Sequence, residues 1–240
     1  MRKATITLFM MLFFTAFTLN TYSVSPKPVE LIKVTDQIWV HTSYQFYNGY
    51  LTPSNGLVVI TEKGLIMVDT CWDNESTSEL VEIATEKFKQ KFVLAIITHG
   101  GHGDRIGGID TLLQQGIEVI GTKQIARKAI EAGFKQPLAK LELEADFEIG
   151  EVRIETYYPG EGHSQDNITV WFPESRVLFA GCMVKSVDTN NLGNLADANV
   201  NEWPNSLKNL LQKYPDMNLV IPGHGNWGDI GLIYHTLELF

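Results

Sequence analysis

One segment constrains the fold more than any other, because it joins a buried strand to a cluster of polar residues. Residues 92–97 (FVLAII) are apolar without interruption, which is typical of a strand that is covered on both faces. They lead directly into residues 98–105 (THGGHGDR). Two imidazoles and a carboxylate can converge there only if the backbone turns tightly, and glycine permits such a turn. The segment therefore predicts a functional loop at the end of a central strand.

Strand and helix patterns occur along the chain in two similar halves, each with strands first and helices after. The patterns predict strands within 29–42 and at 57–61, 65–69, 117–121, 147–157, 168–173, 176–180 and 218–221, and helices at 77–90, 105–115, 123–133, 204–213 and 229–239. Ser76 and Glu79 form a capping-box pattern before the first helix, and residues 43–55 are interpreted as an aromatic-rich turn. This order predicts an α/β fold, an αββα sandwich of two β-sheets with helices on both outer faces.

The first residues have the features of a secretory signal. Arg2 and Lys3 precede an uncharged, mostly apolar run at 6–19, which predicts a signal peptide over residues 1–23 and one domain over residues 24–240. The run is too short for a comfortable membrane span, although an uncleaved anchor is the alternative. We expect a periplasmic monomer with no stable membrane association. The net charge of −9 argues against a nucleic-acid partner, because phosphate contacts require clustered cations.

Three further candidate metal ligands lie beside predicted strand ends. His163 lies in PGEGHSQDN, Cys182 in FAGCMVKS and His224 in IPGHG. Imidazole, thiolate and carboxylate groups together suit zinc. In an oxidising compartment the two cysteines form a disulfide, or Cys182 is a metal ligand; we favour the ligand and expect Cys71 to be a free, buried thiol. We interpret His41 and His235 as structural.

The ordered set of motifs resembles the metallo-β-lactamases, and most closely their subclass B1. The likeness runs from Val29 to the C-terminus and includes YYPGEGHSQDN, GCMVKS, LGNLADANV and VIPGHG. Thioester hydrolases of this fold, such as glyoxalase II, instead have a histidine directly after the motif aspartate and an aspartate in the later position; this chain has Arg105 and Cys182. The resemblance implies two zinc sites, one formed by His99, His102 and His163 and the other by Asp104, Cys182 and His224.

The resemblance also implies a reaction. A zinc-bound hydroxide would hydrolyse the β-lactam amide bond of penicillins, cephalosporins and carbapenems, which confers antibiotic resistance. Asp104 would orient the hydroxide, Asn194 would donate to the developing oxyanion, and Lys185 would attract the substrate carboxylate. Residues 43–55 would form a flap over the substrate, with a plain exposed β-hairpin as the alternative. Asp69 is expected either to accept a hydrogen bond near the metal loop or to cap a helix.

One departure from the family pattern leaves two alternatives open. The family has one residue between the first two histidines, whereas Gly100 and Gly101 separate His99 from His102. If the loop bulges, His99 still binds zinc. Glycines lower the free-energy cost of such a bulge because they tolerate positive φ. If His99 does not bind, one zinc is expected and the protein is a weakly active zinc binder. A thioester or lactone hydrolase of the same fold is the third interpretation.

Overall fold

The computed structural model describes residues 27–240, and the predicted signal peptide lies outside them. The strands are β1 (Glu30–Lys33), β2 (Ile38–Tyr47), β3 (Tyr50–Thr61), β4 (Gly64–Val68), β5 (Phe92–Ile96), β6 (Glu118–Thr122), β7 (Leu138–Leu141), β8 (Glu144–Ile149), β9 (Val152–Tyr157), β10 (Thr169–Phe172), β11 (Val177–Gly181) and β12 (Leu219–Pro222). The helices are α1 (Asn74–Phe88), α2 (Gly103–Ile106), α3 (Ile109–Gln114), α4 (Lys123–Glu131), α5 (Trp203–Lys213) and α6 (Gly231–Glu238). Among these helices none is both long and apolar enough to span a bilayer.

The strands form two sheets. The first has the order β1-β2-β3-β4-β5-β6-β7, antiparallel as far as β4 and parallel beyond it. The second has the order β12-β11-β10-β9-β8, in which only β11 and β12 are parallel among the described strands. Parallel strands need covered faces, which explains the continuous apolar runs of β4, β5 and β11.

The hydrophobic core lies between the sheets and continues under the helices. Leu57 of the first sheet and Phe179 of the second belong to one buried cluster, which also takes in Leu80 of α1. A second cluster covers the other face of the second sheet and includes Leu207 of α5 and Ile233 of α6. Each sheet therefore buries one face against the other sheet and one against helices. The predicted αββα sandwich is confirmed.

Strand ends from both sheets meet at one edge of the sandwich. The β4 and β5 strands are parallel neighbours, as are β11 and β12, so their carboxyl ends point the same way within each sheet. Asn55 N donates to Gly223 O at 2.9 Å and joins the first sheet to the loop that follows β12. The polar motifs predicted from the sequence lie at this edge, in loops and in the short helix α2.

Residues 43–55 differ from the prediction of a turn. The β2 and β3 strands pair continuously from Ile38–Val59 to Tyr47–Tyr50, so the turn consists of Asn48 and Gly49 alone. Their φ angles are 49° and 84°. Asn-Gly is the pair best suited to a two-residue hairpin turn with positive φ at both positions. The segment is thus a long hairpin that projects to the edge where the polar loops lie.

Several element boundaries also differ. Helix α1 is capped by Asp73, which accepts from Ser76 N at 2.8 Å, so the predicted capping box is wrong. The helix predicted at 105–115 is two short helices, and the strand predicted at 147–157 is the β8–β9 hairpin turning at Gly150 with φ of 63°. Strand β7 was not predicted, because its short sequence LAKL lies exposed at a sheet edge.

Candidate metal centre

Three histidines converge in a first cluster at this edge. The ligand nitrogens of His99, His102 and His163 all lie within 4.8 Å of one another, and His102 Nδ1 is 3.2 Å from His163 Nε2. Both nitrogens of His99 are buried without a hydrogen-bond partner, as is Nδ1 of His163. Burial lowers the pKa of His99 and of His163 well below the ordinary value. Buried, neutral and unpartnered imidazoles are costly alone, but they are the form that binds a metal ion.

A second cluster lies beside the first and has a different chemistry. Asp104, Cys182 and His224 also bring their ligand atoms within 4.8 Å. Cys182 Sγ is 3.4 Å from Asp104 Oδ2 and 3.5 Å from His224 Nε2. Burial opposes protonation of His224, but attraction to Cys182 and Asp104 raises the pKa of His224 to about 9. The cluster therefore favours a positive charge at its centre, which a divalent metal would supply.

The extra glycine does not displace His99 from the first cluster. Gly100 and Gly101 fill the interval to His102, and all the histidines of the cluster still face one another. Neither glycine has a positive φ, so the expectation that a bulge would use this freedom is wrong. The loop takes up the additional residue without a positive φ at either glycine. The geometry thus favours the alternative in which His99 belongs to the site.

Arg105 orients Asp104, one of the candidate ligands of the second cluster. Its side chain is fully buried and its Nε donates to Asp104 Oδ2 at 2.9 Å. Although burial raises the pKa of Asp104, Arg105 and His224 hold it well below the ordinary value. The remaining guanidinium donors bond to Asn55 O, Asp69 Oδ2, Ser54 Oγ and Gly223 O. A buried cation with this many acceptors fixes the carboxylate ligand in one orientation.

Asp69 binds Thr98, which lies between the end of β5 and His99 of the first cluster. Its two carboxylate oxygens accept from Thr98 N and from Thr98 Oγ1, each at 2.7 Å. Asp73, not Asp69, caps the neighbouring helix. Of the two roles expected for Asp69, the structure therefore has the acceptor beside the metal loop.

An open cavity of about 430 Å³ lies over both clusters, with His102, Asp104, His163 and His224 in its lining. Lys185 and Asn194 also line this cavity. Lys185 Nζ donates to Cys182 O at 2.9 Å and lies 5.2 Å from the Trp203 ring centroid. Burial lowers the pKa of Lys185. Asn194 Oδ1 accepts from Ala196 N at 3.1 Å, so Nδ2 is the atom that its amide offers to a ligand.

A family model matches residues 49–224, which include both clusters; it describes the metallo-β-lactamase superfamily. The chain belongs to the metallo-β-lactamase superfamily. The order of ligand types along the chain predicts this family and its subclass B1. The match, together with the relatives described next, confirms this resemblance and the interpretation of the chain as an enzyme.

Relatives and solved structures agree with the family. A metallo-β-lactamase type 2 from Bacillus cereus is 46% identical over 211 residues, covering 88% of this chain and 82% of the relative. The solved structure of a metallo-β-lactamase from Pontibacter korlensis has a TM-score of 0.86 at 39% identity, covering 88% of this chain and 98% of that one. FIM-1 from Pseudomonas aeruginosa, solved in a mono-zinc form, has a TM-score of 0.81 at 31% identity, covering 89% of this chain and 95% of that one.

One carboxylate beside the histidines is a functional candidate that the sequence motifs do not predict. His102 Nε2 is 3.0 Å from Asp197 Oδ2, and Asp197 Oδ1 is 3.6 Å from Lys128 Nζ. A carboxylate on the second nitrogen of a ligating histidine fixes the ring orientation. The only sequence signal is that Asp197 lies within LGNLADANV, one of the stretches that carry the family likeness.

Trp72 is a second residue that the sequence reasoning missed. Its ring lines the cavity, stacks on Tyr47 at 6.0 Å and lies 6.3 Å from the His224 ring. Trp72 follows Cys71 in the loop before α1, where no motif marks it. The aromatic pair extends the apolar wall of the cavity toward the β2–β3 hairpin.

The remaining histidines and the second cysteine lie outside both clusters. His41 Nε2 donates to Asp69 O at 3.1 Å, and His235 Nε2 donates to Thr189 O at 2.8 Å. Cys71 and Cys182 are both free and buried, so the described structure has no disulfide between them. Burial raises the pKa of the Cys71 thiol to about 12, which makes it an unreactive thiol.

Proposed function

We propose that this protein hydrolyses the β-lactam amide bond of penicillins, cephalosporins and carbapenems with the aid of two zinc ions, and so confers antibiotic resistance. The observation that carries the proposal is the pair of unlike ligand clusters side by side in the lining of one open cavity. The relatives named as metallo-β-lactamases support the same reaction. Among described residues no third cluster of this kind occurs.

The donor sets fit zinc. His99, His102 and His163 would hold one ion, and Asp104, Cys182 and His224 would hold the other. The unpartnered nitrogens of His99 support a ligand role for this residue, since a metal would satisfy one of them. Bound zinc supplies a Lewis acid and lowers the pKa of coordinated water toward about 7.

The protein's own side chains would bind and orient the substrate. Lys185 Nζ would attract the carboxylate that β-lactams carry, and its low exposure strengthens that attraction by excluding water. Asn194 Nδ2 would donate to the carbonyl oxygen as negative charge develops on it. Asp104 stays ionised because Arg105 donates to Oδ2, so its carboxylate can orient the nucleophile by accepting a hydrogen bond from the O–H of that nucleophile.

The proposal extends to processing and location. Residues 1–23 would be a cleaved signal peptide and residues 24–240 the secreted enzyme, a periplasmic monomer. The support is the charged start followed by an apolar run at 6–19. The mass of the protein recovered outside the cytoplasm would give the cleavage point, and an intact N-terminus would contradict the proposal.

Hydrolysis of a chromogenic cephalosporin by purified, zinc-loaded protein tests the proposed reaction. We expect turnover that a chelator abolishes and that added zinc restores. No hydrolysis at full zinc loading would contradict the proposal and favour a zinc-binding protein. Cleavage of a thioester or lactone without cleavage of the cephalosporin would instead favour another hydrolase of this fold.

A further inference from the structure

Gly100, one of the two glycines between His99 and His102, packs closely against the backbone of helix α4. A Cβ atom added at Gly100 would lie 2.2 Å from Ile125 O and 2.9 Å from Ala129 N. Both atoms belong to the main chain of α4, so no side-chain rotation can relieve the overlap. Position 100 therefore requires glycine because the loop backbone approaches the backbone of α4 closely, and not because φ is positive there.

The same glycine is held by the loop that carries the third histidine. Gly100 N donates to Asp166 Oδ2 at 2.8 Å, and Asp166 is 1% exposed. Asp166 follows His163 by three residues in the loop between β9 and β10. The hydrogen bond therefore connects the two loops that together contain every member of the histidine cluster.

Gly101 offers a contrast within the same insertion. A Cβ atom added there would meet only Asp197 Oδ2, at 3.4 Å, which is an ordinary contact distance. Gly101 is also partly exposed, whereas Gly100 is buried. These two adjacent glycines therefore differ in burial and in their contact with α4.

We propose that Gly100 and Asp166 are positioning residues for the first metal site: Gly100 seats the lengthened loop on the backbone of α4, and Asp166 fixes it there. This contact is how the chain accommodates an additional residue while keeping His99 and His102 on one ion. The inference rests on the zinc sites of the proposed function and adds the residues that make the first site possible in this chain.

The test compares Gly100→Ala with the matched control Gly101→Ala. Metal affinity of the histidine cluster is measured by competition with a chelator and by cobalt substitution. We expect Gly100→Ala to weaken binding there by about 10- to 100-fold, the usual effect of losing a residue that orients ligands, and Gly101→Ala to bind within about twofold of the wild type. The thiolate-to-cobalt charge-transfer band reports the Cys182 cluster in the same sample and should persist in both variants.

A second pair of variants keeps the test decisive if Gly100→Ala does not fold. Asp166→Asn retains an oxygen acceptor for Gly100 N–H, whereas Asp166→Ala removes it. We expect Asp166→Ala to weaken the first site and Asp166→Asn to restore most of the affinity. Equal affinity in Gly100→Ala and Gly101→Ala, or wild-type affinity in Asp166→Ala, would overturn the inference.

The outcome is separable from that of the proposed function. If the wild type cleaves no β-lactam but Gly100→Ala still loses metal from the histidine cluster, the proposed reaction fails and the positioning role stands. If the wild type is active and Gly100→Ala binds metal normally, only the positioning role fails.

Discussion

At the scale of single residues, His99 is the one whose role the sequence left most open. Its ring is buried, and neither nitrogen has a hydrogen-bond partner in the described structure. We expect His99→Ala to lower the zinc content from about two ions to about one and to remove most of the cephalosporinase activity, because the first site would keep only two ligands. Metal analysis of dialysed protein measures the count. His235→Ala, outside both clusters, should keep about two ions; an unchanged count in His99→Ala would refute the ligand role.

His41 gives a prediction about pH that does not involve the metal site. Burial lowers the pKa of His41 from 6.5 to about 4. Below pH 6.5 the unfolded chain therefore binds a proton at His41 that the folded protein excludes. The stability contributed by neutral His41 is fully present above pH 6.5 and is lost as the pH falls toward 4. Between pH 7 and pH 5 this loss amounts to about 2 kcal/mol.

His41→Gln removes this titration while keeping an N–H that can donate to Asp69 O. The free energy of unfolding in urea, measured at both pH values and equal zinc, should fall by about 2 kcal/mol more in the wild type than in the variant. Equal losses in the two proteins would show that His41 titrates normally in the folded state.

The candidate ligands could be predicted from sequence because each lies in a short motif beside a strand end. Asp166, Asp197 and Trp72 could not, because their contacts join segments far apart in the chain. Asp197 and His102 are 95 positions apart in the chain, and no local sequence pattern predicts a contact between residues so far apart. The role proposed for Gly100 could not be predicted for a different reason. Adjacent glycines in a sequence suggest a turn with positive φ, whereas the contact of Gly100 with the backbone of α4 depends on how the loop packs in the folded protein.

At the scale of elements, strands were predictable where they are buried and apolar, and were missed where they are exposed. The sequence pattern predicts strands for the buried half of the β2–β3 hairpin but a turn for its distal half, because that half, which includes Phe46 and Tyr50, is polar and aromatic and largely exposed. Its pairing depends on the Asn48–Gly49 turn and on the register of the buried half. Strand β7 has neither an apolar run nor an alternation of apolar and polar residues. It is recognisable as a strand only because it pairs with β6.

The hairpin tip leads to a prediction about substrate binding. Tyr47 lines the cavity and stacks on Trp72, whereas Tyr50 is 77% exposed and does not line the cavity. We expect Tyr47→Ala to raise KM for cephalosporins by about 2- to 10-fold with a smaller effect on kcat, since an aromatic contact contributes about 0.5–1.5 kcal/mol. Tyr50→Ala is the matched control and should leave KM near the wild-type value. Equal effects of the two substitutions would argue against a binding role for Tyr47.

At the scale of the whole molecule, both metal clusters join the two halves of the chain. The first takes His99 and His102 from the first half and His163 from the second; the other combines Asp104 with Cys182 and His224. Arg105 adds a direct link, because it bonds to Asp69 at the end of β4 and to Gly223 after β12. Metal binding should therefore stabilise the packing of one sheet on the other, and not just the local loops.

Removal of zinc should consequently lower the thermal midpoint of the entire domain. At free zinc of about 100 times the dissociation constant, binding to the folded state alone stabilises by about 2.7 kcal/mol, which corresponds to about 5–10 °C for a chain of this size. Scanning calorimetry of the zinc-loaded and chelated protein should show one cooperative transition that shifts, and zinc should restore it. Cys182→Ser, with a weakened second cluster, should show a smaller shift. Two separate transitions, of which only one responds to chelation, would mean that the metal sites do not couple the two halves, because a ligand that binds one half alone stabilises only that half.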